Sequence, residues 1–315
     1  MTSFEVSPAR RTKAFRWLRR EWRNRRYLYL MSLPVLVFII LFRYVPMYGV
    51  IIAFKQFSPR KGILDSAWVG FKHFQSFFNS FYAGRVIGNT IKLSVYSLVF
   101  NFPAPIILAL LLNEVRHARY KRVVQTITYM PYFISMVVIC GIIRDFVAAD
   151  GPISLLVQLF GGTDKNLLTI PSAYRPIYIA SDTWQYIGFS SIIYLAAIAG
   201  VDMELYEAGA IDGITTRLQR IRYITLPSIL PTIAILFILQ IGNLMNVGNE
   251  KTILLYNDQI METSDIIASF VYRKGLLEAN YSYAAAVGLF NSVINCVLLV
   301  LANMFSARTT DSSLW

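Results

Sequence analysis

Cysteine and histidine are close to absent from this chain, with two of each in 315 residues. Cys140 and Cys296 sit in separate apolar runs without CxxC spacing. That excludes a disulfide framework or a cysteine zinc site, and the expectation is two inert thiols buried in apolar surroundings. His73 and His117 fall in predicted loops without metal-ligand spacing, and no Ser/His/Asp grouping is present. A G-x-x-x-x-G-K-[ST] loop is also missing, so the chain has no P-loop to hold ATP. No enzymatic activity and no cofactor in this chain are expected. Charge is scarce as well: charged residues make up 15% of the chain, hydrophobic residues 56%, and the mean hydropathy is +0.50. Those values lie outside the soluble globular range. The first apolar run follows a basic lead over 1–26 with no small-residue cleavage site behind it, so the N-terminus does not read as a cleaved signal.

What charge there is carries information by its placement. The formal net charge of +12 invites a nucleic-acid reading, but nine Lys/Arg crowd into 10–26, directly before the first apolar run. Basic residues flanking apolar spans mark the cytoplasmic side of a membrane, and no nucleic-acid partner is expected. About 20 predominantly apolar residues cross a bilayer core as a helix. Six segments qualify: 27–48, 90–112, 123–143, 177–200, 228–247 and 283–304. The expected fold is all-α, with six transmembrane helices. Prolines 34, 103, 105 and 131 fall within spans, where neighbouring helices can satisfy the freed backbone groups. The connection 113–122 holds Arg116, Arg119, Lys121 and Arg122, and 201–227 holds Arg217, Arg220 and Arg222. With the N-terminal tail and Arg308 these give one basic side, so the positive-inside rule predicts N-in, C-in. The organisation is then a basic cytoplasmic tail over 1–26, a six-helix domain over 27–306 and a cytoplasmic tail over 307–315. Arg43 interrupts the first span and is expected to snorkel to the outer interface. The opposite side carries longer loops with short apolar patches (Trp68, Val69, Phe71; Ile153, Leu155, Leu156; Ile266, Ile267, Phe270). These are expected as interfacial helices, serving either as membrane anchors or as a landing platform for a partner.

The polar, basic island at 207–227, EAGAIDGITTRLQRIRYITLP, stands between two apolar runs and so belongs on a membrane surface. Tyr206 to Ile211 favours helix, Gly213 permits a sharp turn, and Thr215 or Thr216 can cap a second helix from about Arg217. Leu226-Pro227 is expected to end that helix and redirect the chain into the fifth span. The resulting short helix-turn-helix suits helix-in-groove recognition.

This island resembles the coupling loop of ABC-importer membrane subunits: Glu-Ala-Ala, a glycine four residues on, then Ile-x-Leu-Pro. Glu207, Ala208, Gly213, Ile224, Leu226 and Pro227 match, Ala210 completes the small-residue run, and Asp212 before the glycine is typical of the sugar-transporting branch. Gly209 replaces the second Ala, and the gap from Gly213 to Ile224 is one residue longer than usual. Further likenesses lie in WVGFKHF from Trp68 to Phe74, in Trp184 with Gly188, and in Tyr283 followed by three alanines. The chain thus resembles a MalF-type sugar permease of the lipoprotein-associated and complex-polysaccharide subgroup, with a type I ABC importer bundle. The resemblance implies the bacterial cytoplasmic membrane and a second permease as partner. It also implies two ATPase subunits that bind ATP and Mg, an extracytoplasmic solute-binding protein, and a sugar or oligosaccharide as substrate.

A sugar path needs hydrogen-bonding and aromatic side chains. Gln240, Asn243 and Asn246 recur every three residues, which on one helix makes a polar stripe. The stripe either faces substrate, as the resemblance implies for Asn243 and Asn246, or bonds neighbouring helices. Tyr129, Tyr132, Trp184, Tyr186, Asn291 and Asn295 are further candidates for the path. Asp182 and Arg144 are expected near the outer membrane surface. The competing reading is an ATP-independent secondary transporter of a small polar solute, but it would be expected to place ion-coupling acids within the spans, and almost none are there.

Overall fold

In the computed structural model the described residues are 25–309. The basic lead before Arg25 and the last residues of the C-terminal tail lie outside them. Four helices are long and apolar enough to cross a membrane: α1 (Arg25–Phe54), α3 (Phe81–Asn113), α9 (Arg217–Gly242) and α12 (Tyr281–Thr309). Two bent pairs qualify when each is counted as one span: α4 (Ala118–Phe133) with α5 (Met136–Phe146), bent by 103°, and α7 (Pro171–Ala199) with α8 (Met203–Ile211), bent by 67°. Shorter elements fill the connections: β1 (Lys55–Ser58), β2 (Gly62–Trp68), α2 (Lys72–Phe78), α6 (Pro152–Leu159), α10 (Asn249–Leu255) and α11 (Ile267–Tyr272).

The expected straight third span, 123–143, is therefore two helices. Pro131 has no N–H to give to the helical ladder, and the chain tightens into a 3₁₀ turn over Met130–Phe133. Ser135 then starts a new helix, its Oγ accepting from the Val138 N–H at 3.5 Å. The first span stands where expected, within Arg25–Phe54. None of its most apolar stretch is buried, and it meets the bundle through its 3₁₀ end, Tyr48–Phe54, which packs on α12 with Ala53 fully buried. Arg43 lies in a π-helical turn, Ile40–Tyr44.

The first long loop opens with a β-hairpin, whose β2 ends at Trp68, and only then forms the short helix α2, with Phe71 at its N-cap. Its turn residue Gly62 has φ +71°, and Ser282 fastens the hairpin to α12 by accepting from the Phe57 N–H (2.9 Å) and donating to the Lys55 carbonyl (2.6 Å). His73 lies on α2, buried, within 3.2 Å of the Lys55 carbonyl. Ile153, Leu155 and Leu156 do lie on a short surface helix, α6. Ile266, Ile267 and Phe270 are core instead, packed with Phe77, Val86 and Val287 or with Tyr174 and Leu255. Cys140 is buried as expected, whereas Cys296 is exposed on α12.

A charged knot ties this end of the bundle. Asp265, 0% exposed, accepts from Arg273 at 2.7 Å and Ser269 at 2.9 Å, and Arg85 of α3 stands 3.6 Å away. Asn89 of α3 donates to the Glu262 and Asp265 carbonyls, and Arg175 of α7 donates to Asn89 Oδ1 at 2.8 Å. Three elements far apart in sequence are thereby held by one carboxylate and one amide.

Candidate functional site

Two sites emerge, one at an end of the bundle and one inside it. At the end, Asp202 caps α8 by accepting from the Glu204 N–H (3.0 Å). The helix closes with Gly213 at φ +84°, the Ile214 N–H reaching the Gly209 carbonyl (2.8 Å) and the Gly213 N–H the Ala210 carbonyl (3.3 Å). That is the Schellman arrangement, which a left-handed residue makes possible. Thr216 then starts α9 with a capping box: its Oγ1 accepts from the Gln219 N–H at 3.3 Å, and Gln219 Oε1 accepts from the Thr216 N–H at 3.1 Å. Both turn-forming expectations hold.

The expected stop at Leu226-Pro227 does not. The helix runs on, because Ile221–Thr225 widens into a π turn whose Leu226 N–H bonds the Ile221 carbonyl five residues back. A π turn holds one extra residue, and it falls in the Gly213-to-Ile224 gap that is one residue longer than the family pattern. The insertion is absorbed locally, and Ile224 still packs on α8. A Cβ at Gly209 would come within 2.6 Å of Ile224 Cδ1, so the glycine makes that close approach possible. Tyr206 Oη and Thr225 Oγ1 lie 3.0 Å apart, and Arg217 stands 3.7 Å from Glu114 at the end of α3. Glu207, Ala208, Ala210, Asp212, Leu226 and Pro227 are exposed, and Ile211 is 88% exposed. The element thus packs on itself at Gly209, against Ile224 and Ile214, and turns its other small residues, Ala208 and Ala210, outward. Thr216→Ala should weaken the cap by about 1 kcal/mol. The expected result is roughly fivefold faster amide exchange at Gln219, read by mass spectrometry; unchanged exchange would show that the box contributes nothing.

Inside the bundle, α7 carries Tyr174, Tyr178, Asp182, Tyr186, Ser190, Tyr194 and Ile198 at four-residue intervals, which puts them on one slowly turning face. Tyr174 and Tyr178 join the core cluster with Ile139 and Leu255, and Tyr194 and Ile198 join another with Ile106 and Ile229. Between these clusters lie two adjoining cavities of about 330 and 570 Å³, the smaller lined about equally by polar and apolar surface and the larger mostly by apolar surface, whose linings share Ser97, Asp182, Gln240 and Asn243. Asn246 lines the smaller cavity, Tyr132 and Tyr186 the larger. Tyr132 stacks on Phe189 with ring centroids 3.8 Å apart.

Asp182, expected near the outer membrane surface, stands in the middle third of α7 and lines both cavities. Its Oδ2 accepts from Asn101 at 2.7 Å, and its Oδ1 lies 3.4 Å from Lys251 Nζ. Lys251 sits on α10, whose N-cap Gly248 has φ +74° and follows the 3₁₀ turn Leu244–Asn246 beyond α9. Lys251 Nζ also lies 5.0 Å from the Tyr178 ring centroid. Burial pulls the Lys251 ammonium below the usual lysine value, and the Asp182 carboxylate pulls it part of the way back. Arg144, also expected at a surface, donates to the Leu254 carbonyl of α10.

Other expected path residues are sorted differently. α9 ends at Gly242, so Gln240, Asn243 and Asn246 do not form one helical stripe. Asn243 caps the helix, with Nδ2 donating to the Leu239 carbonyl (3.1 Å), and Asn246 lies in the 3₁₀ turn Leu244–Asn246. Asn291 donates to Asn246 Oδ1 (2.9 Å), and Asn295 Oδ1 accepts from the Met245 N–H (3.0 Å). Both are buried and pin that turn to α12 instead of lining the cavities. Trp184 faces a separate apolar cavity of about 880 Å³ with Ile142, Ile177 and Ala180. Sequence reasoning missed Lys251, Asn101, Ser97 and Phe189. The four-residue spacing along α7 could have placed Asp182 correctly; nothing local points to Lys251.

The family model described as "Binding-protein-dependent transport system inner membrane component" matches residues 101–311, a stretch that contains the 207–227 element and all of the cavity linings but Ser94 and Ser97. The chain belongs to this family. Among similar proteins of Bacillus subtilis (strain 168), this inner membrane component is 41% identical to the polygalacturonan/rhamnogalacturonan transport system permease protein YteP, over 93% of this chain and 91% of that one. It is 40% identical to protein LplB over 96% and 95%. It shares its fold, at TM-score 0.84 and 42% identity, with a chain in the crystal structure of a bacterial ABC transporter involved in the import of the acidic polysaccharide alginate, covering 93% of this chain and 99% of that one. The same holds at TM-score 0.85 and 41% identity, covering 94% and 99%, for a chain of the alginate ABC transporter in complex with an alginate pentasaccharide-bound periplasmic protein.

Proposed function

We propose that this inner membrane component is a permease subunit of an ABC importer for a sugar or oligosaccharide. It forms the translocation path with a second permease, receives substrate from an extracytoplasmic binding protein, and is driven by two separate ATPase subunits docked on the 207–227 element. The observation that carries this reading is the near full-length likeness to the alginate importer chain, with a partly polar cavity in the middle of the same fold. Acidic, uronate-rich saccharides are common to that importer and to the polygalacturonan permease, and they are the substrate class we assign. Gln240, Asn243, Asn246, Tyr132 and Tyr186 are the path residues on this reading. Six spans with N-in, C-in orientation suit it, each bent pair counting as one span; support comes from Arg116, Arg217 and Arg220, which meet in one hollow beside Glu114. A secondary transporter is not favoured, because the acid lining these cavities is already tied to a lysine.

The test is purification of the tagged chain from its native membrane. Co-purification of an ATPase, a second permease and a solute-binding protein is expected, along with ATP hydrolysis that rises when the loaded binding protein is added. Recovery of the chain alone, in a detergent that preserves known complexes of this kind, would overturn the reading.

A further inference from the structure

Asp182 is the one charged residue among the described residues lining these two cavities, and it belongs to the polar stretch of wall they share. Its side chain is 18% exposed, whereas Lys251 behind it is 2% exposed. A carboxylate has roughly four lone-pair positions; Asn101 and Lys251 take one oxygen each, which leaves acceptor capacity toward the cavity. Lys251 is closed off from the cavity by the Asp182 carboxylate and the Tyr178 ring. A solute in the cavity therefore meets a carboxylate whose charge is cancelled from the protein side. The Asp265 knot has no such arrangement, since its carboxylate is fully buried.

We propose that the Asp182–Lys251 pair sets the charge selectivity of the path: paired, it presents a neutral wall rich in hydrogen-bond acceptors, and loss of either member tilts the path toward solutes of one sign. A wall of low dielectric focuses an uncompensated charge onto whatever passes it. Without Lys251, the Asp182 carboxylate repels a uronate; without the Asp182 charge, the Lys251 ammonium attracts one. The same pair admits neutral sugar hydroxyls, which donate to the carboxylate. The substrate class named here rests on the proposed function, while the charge element itself does not.

The experiment reads the local potential first. In membranes carrying the chain with Cys296→Ser and a reporter thiol at Gln240→Cys, rates of modification by anionic and cationic thiosulfonates are compared. Asp182→Asn is expected to raise the anionic-to-cationic rate ratio about tenfold, Lys251→Met to lower it about tenfold. The Asp182→Asn/Lys251→Met double variant, which restores neutrality and guards against misfolding of a chain with a lone buried charge, should return close to the parent. An unchanged ratio in both single variants overturns the proposal. Uptake of tetragalacturonate and of its methyl ester is then measured, with the acid-to-ester ratio expected to move in the same directions. A shifted thiol ratio with an unchanged acid-to-ester ratio, both probes being carried, overturns the selectivity role. If the parent carries neither probe, the substrate assignment fails and the thiol ratios still decide the charge element.

Discussion

Gly213→Val is expected to lower ATP-driven uptake by between about ten- and a hundredfold while the binding protein still delivers substrate. Gly213 holds φ +84°, where a β-branched residue is a steric outlier. Backbone strain of that kind is worth about 1–3 kcal/mol, which converts to roughly a five- to hundred-and-fifty-fold loss of the native turn relative to alternatives. The turn sets the angle between α8 and α9, so its loss separates Glu207 and Ala208 from the arginines that follow Thr216. Open space surrounds a Cβ at this position, so crowding plays no part and the effect comes from the backbone alone. Gly213→Asn, which tolerates the left-handed region better, should retain most activity. Transport assays on both variants check this, and equal loss in the two would show that the turn conformation is not what matters.

The second large effect is expected at Asp265. Asp265→Ala leaves Arg85 and Arg273 facing each other without their carboxylate and deprives Ser269 of one of its two acceptors. Breaking a buried pair by removing one member is worth about 3–5 kcal/mol, because the remaining charge stays desolvated. For a chain of this size that corresponds to a fall in Tm of roughly 10 °C. Thermal unfolding in detergent measures it. Arg273→Ala alone should do less, since Arg85 remains beside the carboxylate; an equal or larger fall for Arg273→Ala would contradict this account of the knot.

What could be read from the chain beforehand follows the range of the interactions. The turn at Gly213 and the cap at Thr216 were legible because each is made by residues within a few positions of one another. Span positions were legible because twenty apolar residues leave few alternatives. The break after Pro131 was within reach: a proline followed shortly by a capping serine is a local stop and start, but the apolar pattern on both sides concealed it. The amides at 240, 243 and 246 misled for a related reason, since a three-residue period assumes a helix that in fact ends at Gly242. The hairpin at 55–68 lacked the clear alternation that marks a strand pair, and its fastening to Ser282 is more than two hundred residues distant. Lys251 could not be assigned at all, because its meaning comes from Asp182 on another helix.

That separation has a consequence for how the chain is made. Asp182 leaves the ribosome 69 residues before Lys251, so α7 reaches the bilayer with an ionisable group whose countercharge does not yet exist. An acidic residue at the centre of an inserting helix costs about 2.5–3.5 kcal/mol by insertion measurements. Asn101, however, has already been synthesised, and it is the residue that bonds Asp182 at 2.7 Å in the finished protein. The order of synthesis thus makes Asn101 of α3 the first of the two partners of Asp182 to exist, with the lysine following 69 residues after the acid.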